Sequence, residues 1–114
     1  MATINQVLLV APIELTASDA VYYLAVAVTS AKIGRAVFSN IDTAAHTVTA
    51  NIVPTSGSAS AANQIINARS LAPGETYVSP ELAGAVIPPG SSLHALADTA
   101  AKVVLMVSGL TIVQ

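Results

Sequence analysis

The sequence predicts an all-β fold, an antiparallel β-sandwich formed as a single domain of 114 residues. Three observations predict it. Short segments alternate polar and apolar residues with a period of two, which is typical of half-buried strands. Turn signals rich in Pro and Gly separate these segments at short intervals, as they do in sandwiches and barrels. The Ala-rich stretches sustain no helical period, so the sequence favours strands throughout.

The first half of the chain supplies four strand-like segments. Residues 1–19 are expected to form an N-terminal strand or arm. The run AVYYLAVAV, residues 20–28, is apolar on both faces, which favours a central strand buried on both sides. KIGRAVFSN, residues 32–40, puts Ala36 and Phe38 on one face, and we expect Phe38 to lie in the core. HTVTANIV, residues 46–53, alternates regularly and predicts a half-buried strand.

The second half continues with QIINARSL, residues 64–71, as a further strand. Pro73-Gly74 and Pro89-Gly90 are type II turn signals, because Pro presets φ at about −65° and Gly supplies a positive φ. Each precedes a strand-like run, TYVS and SLHALA. The segment SPELAGAVIP, residues 79–88, predicts one helical turn capped by Ser79. KVVLMVSGLTIV, residues 102–113, is a strand long enough to bend at Gly109.

A loop of small residues separates two of these strands. Residues 55–62 contain only Thr, Ser, Gly and Ala. Pro54 ends the preceding strand, since it cannot donate to a ladder. Such side chains lose little entropy on ordering, and a hairpin turn needs only about two to five residues. We therefore hypothesise that the loop contacts an adjacent subunit, and the alternative is a flexible connection. The candidate interface residues are Pro54, Thr55, Ser56, Gly57, Ser58 and Ser60.

The charge content is low, at 9% of residues against about 25% in typical soluble domains. The net charge of −2 leaves no basic footprint for nucleic acid. The longest apolar run is too short to span a bilayer, and the start of the chain lacks the basic region of a signal peptide. We interpret the low charge as a surface covered by partners or by copies of the chain, in a dimer or trimer. A free monomer with a Ser/Thr/Asn surface is the alternative.

No catalytic, metal-binding or cofactor-binding pattern is present in the sequence. His46 and His94 fall in different predicted strands without metal-ligand spacing. The six acidic residues are scattered singly. No Ser lies in a nucleophile elbow, and no Gly-rich phosphate loop precedes a helix. The sequence therefore predicts a protein that is not an enzyme and needs no cofactor.

Two further positions are candidate interface residues, Tyr23 and Arg69. Tyr22 and Tyr23 are expected to point to opposite faces of a strand, with one ring in the core and the other at an interface or available for stacking on a sugar or base. Arg69 is nearly isolated as a positive charge in the middle of the chain. It is expected to pair with Glu75 or Glu81, or to reach a neighbouring subunit.

Residues 20–98 carry a pattern that resembles a family. The segments are VYYLA, FSNIDTAAHTVTANIVP, the loop of residues 55–62, which we call the Ser/Gly/Ala loop, IINARSLAPGET and PELAGAVIPPG. They resemble a group of small tailed-bacteriophage virion proteins encoded among head and tail structural genes. The resemblance implies a jelly-roll-like β-sandwich without catalysis that binds the major capsid protein or other virion proteins.

The same resemblance implies a place on the exterior of the virion after synthesis in the bacterial host cytoplasm. The absence of Cys fits a reducing compartment. A capsid decoration (cement) protein is the first interpretation. A neck, tail or fibre component is the second, and a carbohydrate-binding β module is the alternative outside that family.

Overall fold

Nine β-strands form the protein in a computed structural model that describes residues 3–113. In chain order they are β1 Thr3–Glu14, β2 Ala20–Leu24, β3 Thr29–Asn40, β4 His46–Val53, β5 Gln64–Leu71, β6 Thr76–Val78, β7 Val86–Ile87, β8 Ser92–Ala97 and β9 Val103–Val113. The one helical element within this range is a short 3-10 helix, Ala61–Asn63. No helix in the same range is long and apolar enough to cross a membrane.

The strands form two antiparallel sheets packed face to face. One sheet has the order β1-β9-β3-β6, with β7 also paired to β3, and the other has the order β2-β8-β4-β5. Most connections cross from one sheet to the other, and only β4–β5 and β6–β7 stay within a sheet. This is the strand order of a jelly roll, which contains two Greek keys. The predicted all-β, jelly-roll-like sandwich is therefore confirmed.

The core lies between the sheets and is built from the inward residues of the alternating strands. Phe38 of β3 is fully buried, and its ring stacks on Tyr77 with the ring centroids 6.4 Å apart. Ala36, two residues earlier, is also fully buried. Leu105 and Val107 of β9 pair with Phe38 and Ala36 and face the same core. The predicted core position of Phe38 is confirmed.

The interpretation of residues 20–28 as a doubly buried central strand is wrong. β2 ends at Leu24 and lies at the edge of its sheet, beside β8. Val21 and Leu24 are exposed, and residues 25–28 turn into β3. A short apolar run reads the same in sequence whether both of its faces are covered or one is open. A register shift between Val21 and Tyr23 also disturbs the alternation of this strand.

The predicted turns are present. Gly74 and Gly90 both have positive φ, 72° and 83°. The turns are closed by hydrogen bonds from the Glu75 and Ser91 amides to the carbonyls three residues before them. The single turn predicted after Ser79 is also present, because the Leu82 amide donates to the Ser79 hydroxyl at 3.1 Å.

β9 and β3 approach each other closely at a glycine. A Cβ added at Gly109 would overlap the carbonyl oxygen of Lys32. The pairing of β3 with β9 shifts register between Ile33 and Arg35 at this point. β9 itself continues to Val113, so the irregularity expected at Gly109 lies in the neighbouring strand.

Candidate interaction surface

Charged side chains are distributed unevenly between the two ends of the sandwich. At one end, the connections 41–45, 72–75 and 98–102 join the sheets beside the end of β1. We call this the charged end; its charged residues are Glu14, Asp42, Glu75, Asp98 and Lys102. At the other end, the connections 25–28, 54–63 and 88–91 contain no charged residue. We call these three connections the uncharged end.

Hydrogen bonds join the three connections of the uncharged end into one surface. The Gly90 amide donates to the Ala25 carbonyl at 2.7 Å, and the Ala25 amide donates to the Ser91 carbonyl at 2.9 Å. The Thr55 hydroxyl donates to the Pro89 carbonyl at 3.2 Å. A Cβ at Gly90 would lie 2.5 Å from the Thr55 hydroxyl, so the close contact of these turns requires glycine.

Apolar side chains are exposed at this end. Leu24, Val26 and Val28 are 57%, 61% and 60% exposed. Val28 also has a φ of 59°, a backbone region that β-branched residues rarely adopt because of steric strain. Exposed apolar patches on soluble proteins commonly mark interaction sites. The strain and the exposure together identify residues 24–28 as the most unusual part of this surface.

Two asparagines hold the Ser/Gly/Ala loop in place. Asn51 is buried, and its Nδ2 donates to the Ser60 carbonyl at 2.9 Å and to Oδ1 of Asn63 at 2.8 Å. Asn63 Nδ2 donates to the Ser58 carbonyl at 2.9 Å, and the Ser60 amide donates back to Asn63 Oδ1 at 3.1 Å. These bonds fix the course of the loop against β4, which favours an ordered loop over a flexible connection.

The structure brings most of the sequence-predicted interface residues together. Residues 54–60 all belong to the uncharged end. Tyr23 lies near it, next to Leu24 on β2, but its ring is half-buried and packs against the core, as does that of Tyr22. Burial raises the pKa of the Tyr23 hydroxyl. The expected division of these rings between two faces is not observed, because the register of β2 shifts between Val21 and Tyr23.

Arg69 lies elsewhere, toward the charged end. It belongs to β5 and is paired with Val48 of the neighbouring strand β4. Its guanidinium carbon is 4.1 Å from the centroid of the Tyr77 ring, a cation–π contact. The expected ion pair of Arg69 with Glu75 or Glu81 is absent from the described ion pairs.

Both carboxylates have other partners. The Tyr77 hydroxyl donates to Glu81, and this hydrogen bond holds the pKa of Glu81 below its usual value. Glu75 accepts from the Ala72 amide at 2.7 Å. Arg69 therefore connects the two sheets through its contact with the Tyr77 ring, and it is not part of the uncharged end.

Sequence reasoning missed two histidine–carboxylate clusters. His46 contacts Asp42 and Asp98, while His94 contacts Asp19 at 2.8 Å. His94 and Asp19 are separated by 75 positions, so no local spacing could reveal them. Within residues 3–113, no group of three or more His, Cys, Asp or Glu side chains is arranged to hold a metal ion. The two carboxylates at His46 flank opposite ring nitrogens.

A shallow groove of about 260 Å³ lies beside the Ser/Gly/Ala loop. Its polar side chains come from Asp19, Thr49, Asn51, Ser60 and Gln64. Its lining contains no aromatic ring on which a sugar could stack. The groove therefore gives no specific support to the carbohydrate-binding alternative.

Comparison with solved structures gives the same fold. A chain in the structure of infectious bursal disease virus, Gx strain, matches with a TM-score of 0.54 at 14% sequence identity. The match covers 99% of this chain and 37% of that chain, so the present chain spans little more than a third of its length. A chain of the Gt strain structure has a TM-score of 0.48 at 10% identity, covering 97% of this chain and 32% of that one.

The VP2 subviral particle of the same virus gives a TM-score of 0.47 at 13% identity, with 97% of this chain and 32% of that chain covered. No protein-family model matches the sequence. No curated protein matches it. The first of the structural matches supports the sandwich fold, and at these identities the likeness concerns the fold alone.

Proposed function

We propose that this chain is a non-enzymatic structural protein of a virus particle and, more specifically, a capsid decoration (cement) protein of a tailed bacteriophage. The observation that carries the proposal is the uncharged end. Its three connections lack charge, are joined by hydrogen bonds and expose Val26 and Val28. A surface of this kind is favourable where another protein covers it.

Two further observations support the viral assignment. The jelly roll is a recurrent architecture of viral capsid domains, although lectins and cupins share it. The fold likeness to a chain of a virus structure agrees with it. The resemblance of residues 20–98 to tailed-bacteriophage virion proteins favours the phage over other viruses, and it favours a head or tail component over other roles.

In this proposal the uncharged end lies against the shell formed by the major capsid protein, and the charged end faces solvent. Leu24, Val26 and Val28 supply the apolar contact. The Ser/Gly/Ala loop is already fixed by Asn51 and Asn63, so little conformational entropy is lost when it is covered. A protein that binds only the assembled shell stabilises that shell by mass action. When many copies bind the same shell, their individually weak contacts together give a large stabilisation.

The test is binding to assembled phage heads that lack this protein. Val26→Lys and Val28→Lys each place a charge at the uncharged end, and we expect each to weaken binding tenfold or more, about 1.4 kcal/mol. Ile41→Lys is the matched control, because Ile41 is 56% exposed in the connection 41–45 at the charged end. We expect it to bind like the wild type. Thermal melts of the isolated variants verify that all three fold.

A reconstruction of the particle distinguishes the alternatives. Density for this chain on the head shell supports a decoration protein, whereas density at the neck, tail or fibres would replace that role with the second interpretation. Unchanged binding by both valine variants would exclude the uncharged end as the contact surface. Absence of the chain from purified particles would overturn the structural role itself.

A further inference from the structure

β1 is an open edge of the larger sheet. It is 12 residues long and pairs with β9 on one side only, among the described strands. No charged residue occurs between Thr3 and Ile13. An edge strand presents unpaired amide and carbonyl groups, and proteins usually protect such edges with charge, short length or bulges.

The other three edges have that protection, whereas β1 has it only beyond Leu8, where Pro12 and two register shifts against β9 occur. β6 and β7 are only three and two residues long and are separated by a turn. β2 is five residues long and irregular in register. β5 carries Arg69, two register shifts against β4, and Ala68 with a φ of 48°. β1 is therefore the edge of this molecule best suited to pair with another strand.

The regular part of β1 is its first half. Thr3 to Leu8 pair with Val113 to Ser108 of β9 without a register shift, and the first shift follows Leu8. Side chains alternate between faces along a strand, so Ile4, Gln6 and Leu8 share the outer face of the sheet. Ile4 is 65% exposed and Leu8 is 51% exposed. This half of β1 therefore combines free backbone groups with uncovered apolar side chains.

An apolar groove of about 560 Å³ adjoins the same residues. Its lining consists of Gln6, Val7, Leu8, Gly34, Ser108, Gly109 and Leu110. The lining combines the small residues Gly34, Ser108 and Gly109 with the apolar residues Leu8 and Leu110. One of these small residues, Gly109, lies where an added Cβ would overlap the Lys32 carbonyl oxygen.

We propose that β1 pairs antiparallel with β1 of a second copy of this chain, about a two-fold axis perpendicular to the sheet. Such an axis keeps both outer faces on the same side, so residues that pair must come from the same face. When Gln6 lies opposite Gln6 of the partner subunit, Ile4 lies opposite Leu8 of the partner subunit, once on each side of the axis. When the axis passes Asn5 instead, Ile4 meets Gln6 of the partner subunit, and the apolar pairs are lost.

The chemistry of the edge identifies a second copy as the occupant. A two-fold interface brings identical patches together, so two copies of a patch that carried charge of a single sign would repel each other. The stretch from Thr3 to Ile13 has none. Its apolar residues are spaced so that each Ile4 packs on a Leu8 at the rim of the groove. Cross-strand apolar pairs of this kind are favourable.

The proposal rests on β1 and does not rest on the contact with a shell. The uncharged end is made of residues 25–28, 54–63 and 88–91, and none of them belongs to β1. Variants of the two surfaces can therefore fail independently. A β1 variant tests self-association in solution, while Val26→Lys tests attachment to particles.

Sedimentation of the full chain over a range of concentrations is the first test. We expect a concentration-dependent dimer. Ile4→Lys/Leu8→Lys places like charges across the axis, and we expect the dissociation constant of the dimer to rise tenfold or more. Ile4→Lys/Leu8→Glu places opposite charges across the axis, and we expect it to restore the dimer. Val86→Lys is the control, because Val86 is 55% exposed and belongs to β7 at the opposite edge of the same sheet.

Cross-linking tests the register. The chain contains no Cys, so a single introduced Cys reports one contact. We expect Gln6→Cys to form a disulfide-linked dimer under mild oxidation with glutathione disulfide, since residues directly opposite in antiparallel strands have Cβ atoms about 4.5–5.5 Å apart. Asn5→Cys should cross-link much more slowly, and Val86→Cys sets the background from random collision.

Clear outcomes would overturn the proposal. A monomer at every concentration excludes the dimer. A dimer that persists in folded Ile4→Lys/Leu8→Lys excludes this surface, and growth into open-ended species indicates head-to-tail pairing with another edge. Faster cross-linking of Asn5→Cys than of Gln6→Cys excludes the register. Circular dichroism of each variant shows whether it has kept the strand content of the wild type.

Discussion

His46 Nδ1 lies 2.8 Å from Oδ1 of Asp98, which follows β8, 52 positions later in the chain. On the other side of the ring, Nε2 lies 2.7 Å from Oδ2 of Asp42. Ionised carboxylates only accept hydrogen bonds, so the arrangement favours a ring that donates from both nitrogens, which is the imidazolium form. The hydrogen bond to Asp42 is the main cause that raises the pKa of His46, and burial of the ring opposes it.

This cluster predicts how stability depends on pH. The pKa of His46 is raised in the folded protein, so its contribution is complete below the ordinary value of about 6.5 and is lost as pH rises through the folded pKa. The pKa of Asp42 is lowered, chiefly by the hydrogen bond with His46. Its contribution is present above about pH 3.9 and is lost as pH falls through the folded value.

We therefore expect the stabilisation by this cluster to be greatest between about pH 4 and 6.5. His46→Gln should make the decline of the melting temperature above that window shallower, because glutamine does not titrate. Melting curves from weak acid to weak base check this. The same alkaline slope in wild type and variant would show that other groups determine the pH dependence.

Phe38→Ala should destabilise the protein by about 3–5 kcal/mol, because it removes a fully buried ring and leaves a cavity between the sheets. The stacking partner Tyr77 would lose its contact as well. A urea titration monitored by circular dichroism measures the change. A loss below about 1 kcal/mol would mean that the core closes around the missing ring.

Gly109→Ala should destabilise the protein by about 1–3 kcal/mol, because the new methyl group must displace the β3 backbone at Lys32. Ser108→Ala is the matched control on the same strand, and it should change stability by less than about 0.5 kcal/mol. Thermal melts of both variants provide the comparison. Equal stability would show that β3 moves away without cost.

Asn63→Ala should cost about 1–3 kcal/mol, since it removes a partner of the buried Asn51 amide and the bonds to Ser58 and Ser60. Ser58→Ala is the control, because Ser58 takes part through its backbone carbonyl. Hydrogen exchange at the Ser60 amide should accelerate only in the asparagine variant. Unaltered exchange in Asn63→Ala would show that the loop keeps its course without these bonds.

The sequence predicted strands correctly where one face of the strand is buried and the other is exposed to solvent. HTVTANIV and QIINARSL coincide with β4 and β5. Alternation defines the first of these strands, and Pro54 ends it. β2 was misjudged for the complementary reason. The run from Val21 to Val28 is apolar at every position. Nothing in such a run distinguishes a buried face of the strand from an exposed one.

The candidate surfaces required the topology. The absence of charge in residues 25–28, 54–63 and 88–91 is visible in the sequence, but only the strand order shows that these connections meet at one end. The contact of Arg69 with Tyr77 joins strands of different sheets, so the expectation of an ion pair with a nearby acid failed. The pairing of His46 with Asp98 likewise has no local signal.

The separation of charge between the two ends gives the molecule the character of a surfactant. Four carboxylates are at one end, Glu14, Asp42, Glu75 and Asp98, while valines are exposed at the other. At an air–water or oil–water boundary, we expect such a molecule to orient with its valines toward the apolar phase and its carboxylates in water. Because four carboxylates outnumber Lys102 at that end, the solvent-facing side of a film of oriented copies is negatively charged at neutral pH.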